Sequence, residues 1–229
     1  MSSSIADVIN QRLEELVGKL PSTTNNTSSQ PSILVLLAGG SLVESYSEIL
    51  AKLERLAEKY RLEISISLTD ERIATNNTWQ ELEKISIELS ADSKIQLVRP
   101  ASPELDNSWR DADLKIGVFG AGNDLHTAGI LPFDPEIFVR IFPLGIDFTS
   151  YDVPTSHQNQ TAAKRWTITP AGISKLDLAL LALGQGKEAV VSFVERNFYN
   201  ANEISSNQHH EYPLLTLRTA KNFELVSVS

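Results

Sequence analysis

His126 follows Asp124 by two residues in the run Gly120-Ala121-Gly122-Asn123-Asp124-Leu125-His126-Thr127-Ala128. Histidine is the side chain whose ordinary pKa lies nearest neutrality, so it can accept a proton and return it. A neighbouring carboxylate can orient the ring and stabilise its charged form. The pair is the best acid–base candidate in the chain, because His157, His209 and His210 lie in polar stretches expected to be exposed. Taken alone, a histidine in a glycine loop is more often a structural or solvated residue. The histidines and carboxylates do not follow a metal-ligand spacing such as H-E-x-x-H, and neither a metal nor a cofactor is expected.

Three other segments could meet a charged ligand. Ala38-Gly39-Gly40-Ser41 joins the apolar run Ile33 to Leu37 to a helical stretch. Backbone N–H groups and the positive end of the helix dipole would face this loop, which suits a phosphate or carboxylate. The same glycines also suit a plain tight turn. Neither the Gly-Lys-Ser/Thr of a Walker loop nor the G-x-G-x-x-G of a dinucleotide site is present. Asp70-Glu71-Arg72 closes a second strand, where its charges either contact a polar ligand or form a solvated ion cluster. Arg165, in Arg165-Trp166-Thr167-Ile168-Thr169, and Lys187, after Gly184-Gln185-Gly186, supply positive charge. A lysine at a helix start opposes the dipole, and an anion there would relieve the conflict. Singly, each cation also reads as an ordinary surface residue.

The elements that must carry these loops follow from pattern. Ile5, Val8, Ile9, Leu13, Leu16, Val17 and Leu20 recur at helical spacing behind a Ser4/Asp7 capping box. Residues 21–31 are rich in Ser, Thr, Asn and Gln and predict a polar surface loop. Beyond them, short apolar runs alternate with amphipathic stretches. Strands are expected at Ile33 to Leu37, Glu63 to Leu68, Ile95 to Val98, Leu114 to Phe119 and Ile137 to Phe142. Helices are expected over Leu42 to Lys59, Trp79 to Leu89, Gly172 to Leu183 and Lys187 to Arg196. Continuous apolar strands separated by helices predict an α/β fold with a mainly parallel sheet covered by helices on both faces. Ligands of such sheets bind at the carboxyl ends of the strands, where the four segments lie.

At 229 residues and 41% hydrophobic content the chain can bury a full core, and one domain over 1–229 is expected. The net charge of −9 argues against binding nucleic acid or an anionic membrane. There is no cysteine, hence no disulfide, thiolate metal site or thiol nucleophile. Met1 to Leu20 lacks a basic n-region followed by an apolar h-region, and no apolar run approaches the ~18 residues of a membrane span. A cytoplasmic protein, monomeric or a small homo-oligomer, is expected.

Taken together, the order and spacing of the loops resemble the 6-phosphogluconolactonase/glucosamine-6-phosphate deaminase family. In its lactonase branch a G-G-S loop, a D-E-R strand end, a G-x-G-x-D-G-H-T-A-S-L-F-P loop, an R-x-T-x-T strand and a G-x-x-K helix start occur in this order. They correspond here to Gly39 to Ser41, Asp70 to Arg72, Gly120 to Pro132, Arg165 to Thr169 and Gly184 to Lys187, so the likeness spans residues 1 to about 220. The deaminase branch carries D-E-Y and D-G-H-I-A-F-N-E-P. This chain has Arg72 in place of that tyrosine and Leu131 in place of that glutamate, and both differences favour the lactonase branch. Departures from the lactonase pattern are Leu125 for glycine, Gly129 for serine, and shorter segments after Arg72 and Arg99.

The resemblance implies a sugar-phosphate isomerase/lactonase-like fold and a hydrolase of the pentose phosphate pathway that opens 6-phosphogluconolactone, with a small-molecule sugar phosphate as its partner. His126 would be the general base and Asp124 would orient it. Asp70 and Arg72 would meet sugar hydroxyls or the developing oxyanion, while Gly39, Gly40, Ser41, Arg165 and Lys187 would hold the phosphate. A sugar-phosphate binding module without turnover, and an amino-sugar-phosphate isomerase or deaminase, are the alternatives.

Overall fold

The computed structural model of the chain describes residues 4–19, 30–73, 77–87, 89, 93–132, 145–153, 164–199 and 206–227. Its centre is a six-stranded sheet in the order β4 (Ile95–Leu97), β2 (Glu63–Leu68), β1 (Ser32–Leu37), β5 (Leu114–Phe119), β8 (Leu178–Leu183), β9 (Phe223–Ser227). Every neighbouring pair is parallel. The chain builds outward from β1 to β2 and β4, then returns to β5 and builds outward the other way, so strand order reverses between β1 and β5. Ligands of open parallel sheets are found at this reversal.

The alternation of side chains along the strands divides the core into two layers. Ile33, Val35 and Leu37 of β1, with Leu178, Leu180 and Ala182 of β8, pack under α1 (Ile5–Val17), α2 (Tyr46–Tyr60) and α3 (Asn77–Ser86). Leu34 and Leu36, with Ala179, Leu181 and Leu183, pack on the other face against α4 (Pro103–Asp111), α5 (Glu188–Phe198) and the 3-10 segment Pro213–Thr219. The capping box of α1 forms as read, with Ser4 and Asp7 each satisfying the other's backbone N–H. The stretch expected as a helix from Leu42 begins as a 3-10 segment, Gly40–Ser45, before α2.

The expected helix over Gly172 to Leu183 is corrected by the structure. A single helical turn, Pro170–Ile173, precedes β8, and all six residues of β8 are buried. Leu-Ala-Leu-Leu-Ala-Leu is apolar on every face, so it carries neither the helical nor the half-buried strand period, and burial on both sides of a parallel sheet decides it. The expected strand Ile137 to Phe142, residues 21–29 of the polar loop, and His157 lie outside the described residues. His209 is half-buried rather than exposed, and burial, then the Arg218 charge, lowers its pKa. Among the described residues no helix is long and apolar enough to cross a membrane.

A second, three-stranded antiparallel sheet stands at the carboxyl edge of the first, in the order β3 (Asp70–Arg72), β7 (Lys164–Ile168), β6 (Phe148–Asp152). It continues directly from β2, and the Ile168 N–H donates to the Thr69 carbonyl at 2.9 Å to join the two.

Helix α2 ends with Arg61 in the left-handed region at φ 55°. Leu62 N–H donates to the Ala57 carbonyl at 2.9 Å, so Arg61 occupies the position where glycine ordinarily ends a helix. Arg61 is exposed. Arg61→Gly is therefore expected to raise stability by about 1 kcal/mol in equilibrium denaturant unfolding, because it removes only the left-handed penalty. Arg61→Ala should gain nothing, since the alanine Cβ meets the same penalty.

Candidate active site

The loop after β1 is held from behind. The Ala38 N–H donates to the Val118 carbonyl at 2.8 Å, and the Ala38 carbonyl accepts the buried Tyr46 hydroxyl at 2.8 Å. Burial raises the Tyr46 phenol far above its ordinary range, and the Asp70 and Glu71 charges add to this, so the hydroxyl remains a donor. Gly40 then turns the chain at φ 66°, which glycine alone adopts without strain. A Cβ on Gly39 would stand 2.9 Å from the Thr78 hydroxyl. The missing side chain lets the first turn of α3 close against the loop.

Across the strand reversal, the loop after β5 folds on itself. Gly122 N–H donates to the His126 carbonyl at 3.2 Å, Leu125 N–H to the Gly122 carbonyl at 3.0 Å, and the Thr127 hydroxyl to the Gly120 carbonyl at 3.2 Å. His126 Nδ1 lies 2.6 Å from Asp124 Oδ1. Burial pushes the Asp124 carboxyl up, but the charge and hydrogen bonds of His126 outweigh it and hold Asp124 below the usual carboxylate range. An ionised carboxylate can only accept, so the neutral ring carries its proton on Nδ1 and leaves the Nε2 lone pair free to act as a base. Gly122 makes room for this pair: a Cβ there would stand 2.3 Å from both Asp124 Oδ1 and His126 Nδ1.

Leu125 occupies the left-handed region at φ 65°, where a leucine costs on the order of 1–2 kcal/mol. Its side chain packs with the second core layer and is not among those that line the cleft, and its carbonyl accepts the Leu214 N–H at 3.0 Å. Packing and hydrogen bond offset the strain. The leucine has been fitted into the scaffold and does not crowd the site.

The small sheet supplies the third wall. β3 and β7 place Arg72 opposite Arg165. The Arg165 guanidinium donates to Asp70 Oδ2 from Nε at 2.9 Å and Nη2 at 2.6 Å, with both side chains largely buried. Burial opposes the Arg165 charge, and Asp70 more than restores it. Asp70, expected to meet the ligand, therefore has one oxygen committed to Arg165. Glu71 points the other way, is 4% exposed, and accepts the Arg72 N–H at 2.7 Å and the Trp79 N–H at 2.6 Å. It fills the N-terminus of α3 with the protein's own carboxylate. Desolvation raises its pKa despite these bonds.

Lys187, immediately before α5, donates from Nζ to Asn123 Oδ1 at 3.1 Å, across to the histidine loop. Gly39, Gly40, Ser41, Asp70, Arg72, His126, Arg165 and Lys187 thus line one cleft of about 580 Å³, with Asp124 behind His126. Glu71, read in the sequence only as one of three strand-end charges, also lines it, as do Asn77 and Thr78, which were not singled out from sequence. The two polar residues just ahead of Trp79 are the signal that could have found them, since helix starts border ligand sites in such folds. A larger groove of about 830 Å³ between α3 and β4 is lined by Trp79, Glu83, Lys84, Ile87, Ile95 and others. It lacks the convergent charged groups of the cleft. Among the described residues no group of three or more His, Asp or Glu side chains is placed to hold a metal ion.

No family sequence model matches the chain, and no curated protein matches it in sequence. Solved structures do resemble it. A 6-phosphogluconolactonase from Thermotoga maritima is similar at 17% identity and a TM-score of 0.60, covering 99% of this chain and 96% of its own. One from Shewanella baltica is similar at 15% identity and 0.62, covering 100% and 96%. A monomeric glucosamine-6-phosphate deaminase is similar at 14% identity and 0.55, covering 98% and 94%. Over its full length, at low sequence identity, the chain has the α/β fold of the 6-phosphogluconolactonases.

Proposed function

We propose that the cleft hydrolyses 6-phosphogluconolactone to 6-phosphogluconate. One observation carries this most directly: an Asp124–His126 pair with a free Nε2 stands on the same wall system as the Gly39–Ser41 loop and the cations Arg72, Arg165 and Lys187. His126 Nε2 takes a proton from water as its oxygen attacks the lactone carbonyl carbon. Arg72, which lines the cleft, meets the oxyanion of the tetrahedral intermediate. The carbonyl re-forms, the bond to the ring oxygen breaks, and the imidazolium returns its proton to that oxygen. Asp124 stabilises the imidazolium and keeps its own charge. The Gly39–Ser41 backbone with Lys187 and Arg165 holds the phosphate, and Asp70 keeps Arg165 extended toward it.

A δ-lactone is already reactive, so general acid–base catalysis of ~10²–10⁴-fold together with positioning suffices without a covalent nucleophile. The test is an assay on freshly generated 6-phosphogluconolactone, with spontaneous hydrolysis measured in parallel. Protein-dependent hydrolysis is expected well above the buffer rate. Hydrolysis at the buffer rate with binding of 6-phosphogluconate would instead establish a sugar-phosphate binding module, and absence of both would leave only the fold shared.

A further inference from the structure

The loop that carries His126 is strained at a second point. Ala128 lies in the left-handed region at φ 47°, is buried, and is not glycine. A conformation of this kind persists only where its surroundings hold it. Those surroundings converge on the next residue. Gly129 N–H donates to the Thr167 hydroxyl at 2.9 Å, and its carbonyl accepts the hydroxyl of Tyr151. Tyr151, on β6, is 4% exposed and lies opposite Arg165 of β7 in the sheet register. Gly129 itself is pressed against that sheet: a Cβ there would stand 2.8 Å from Thr167 Cβ and 3.2 Å from Arg165 Cδ.

We propose that Tyr151 is a positioning residue for His126. Its hydroxyl, by holding the Gly129 carbonyl, fixes Ala128 in the left-handed turn and so keeps the Asp124–His126 pair at the cleft wall. The small sheet thereby sets both halves of the site, Arg165 through β7 and His126 through Tyr151. For catalysis this rests on His126 acting as the base proposed above. The geometric part does not.

Tyr151→Phe keeps the buried ring and removes only the hydroxyl. The expected result is a fall of roughly tenfold in kcat for lactone hydrolysis with KM within about twofold, because an interaction that orients a base acts on the transition state. Nuclear magnetic resonance of the His126 ring gives a readout free of turnover. The hydrogen-bonded Nδ1 proton should be seen in the wild type and be lost or broadened in Tyr151→Phe.

Ala128→Gly makes the left-handed turn free of side-chain strain. The loss caused by Tyr151→Phe should therefore shrink to less than about threefold when measured in the Ala128→Gly background, a coupling that only a shared loop conformation produces. An equal loss in both backgrounds, a wild-type kcat with an unchanged Nδ1 proton, or a Tyr151→Phe chain that does not fold would each overturn the proposal. If the wild type shows no lactone turnover, the functional reading fails. The ring resonances of the two proteins still decide the role of Tyr151.

Discussion

His126→Ala is expected to slow lactone hydrolysis by about two orders of magnitude or more at neutral pH, with affinity for 6-phosphogluconate unchanged within a few fold. A general base acts on the proton of the attacking water, which the product lacks, so binding and turnover should separate. The side chain stands on the cleft wall with its Nδ1 bound to Asp124, and its removal opens space without leaving a buried partner unpaired, because Asp124 is more than half exposed. The fold should be retained. Initial rates on fresh lactone and titration calorimetry with 6-phosphogluconate measure the two effects. A rate within threefold of wild type would remove His126 from the chemistry.

Gly122→Ala should approach the same loss without replacing a charged or titratable group. The added methyl would sit 2.3 Å from Asp124 Oδ1 and from His126 Nδ1. Carbon and these atoms need at least about 3.2 Å, so the carboxylate and the ring must each shift away from the methyl by nearly an ångström, and misplacement on that scale costs on the order of 10²-fold. Gly122 is not among the glycines at positive φ, so the backbone itself accepts alanine. Thermal unfolding should shift by no more than a few degrees while kcat falls. A Gly122→Ala variant of full activity would show that the observed placement of Asp124 and His126 is not needed for turnover.

What was legible in the sequence was what is local. Asp124, His126 and Gly122 lie within five residues of one another, and their pairing follows from one tight loop. Strands β1, β2 and β5 were read within a residue because each is a short apolar run between turn signals. β8 was misread because burial on both faces erases periodicity. The Asp70–Arg165 ion pair joins residues 95 apart, and nothing in either segment shows that β3 and β7 will be neighbours. Glu71 was seen as one of three strand-end charges, yet its role as the carboxylate beneath α3 depends on strand alternation turning it opposite to Asp70 and Arg72. The hydrogen bond from Tyr151 to Gly129 was equally invisible, since Gly129 stood out only as a departure from a serine and Tyr151 lies in no motif.

The placement of the cleft at the strand reversal also has a kinetic meaning. β1 and β5 are direct neighbours, and their bases are tied where the Ser32 N–H donates to the Asp113 carboxylate at 2.9 Å, 81 residues along the chain. In an all-parallel sheet no hairpin shortens that separation, so the contact must await closure of a long loop, and such topologies fold slowly. The half that carries the Gly39 loop can gather β1, β2 and β4 around α2 and α3 first. The half that carries His126 meets it only when that long loop closes. The proposed affinity for a sugar phosphate therefore needs both halves in place, because the cleft is lined by the loop after β1 and the loop after β5 together.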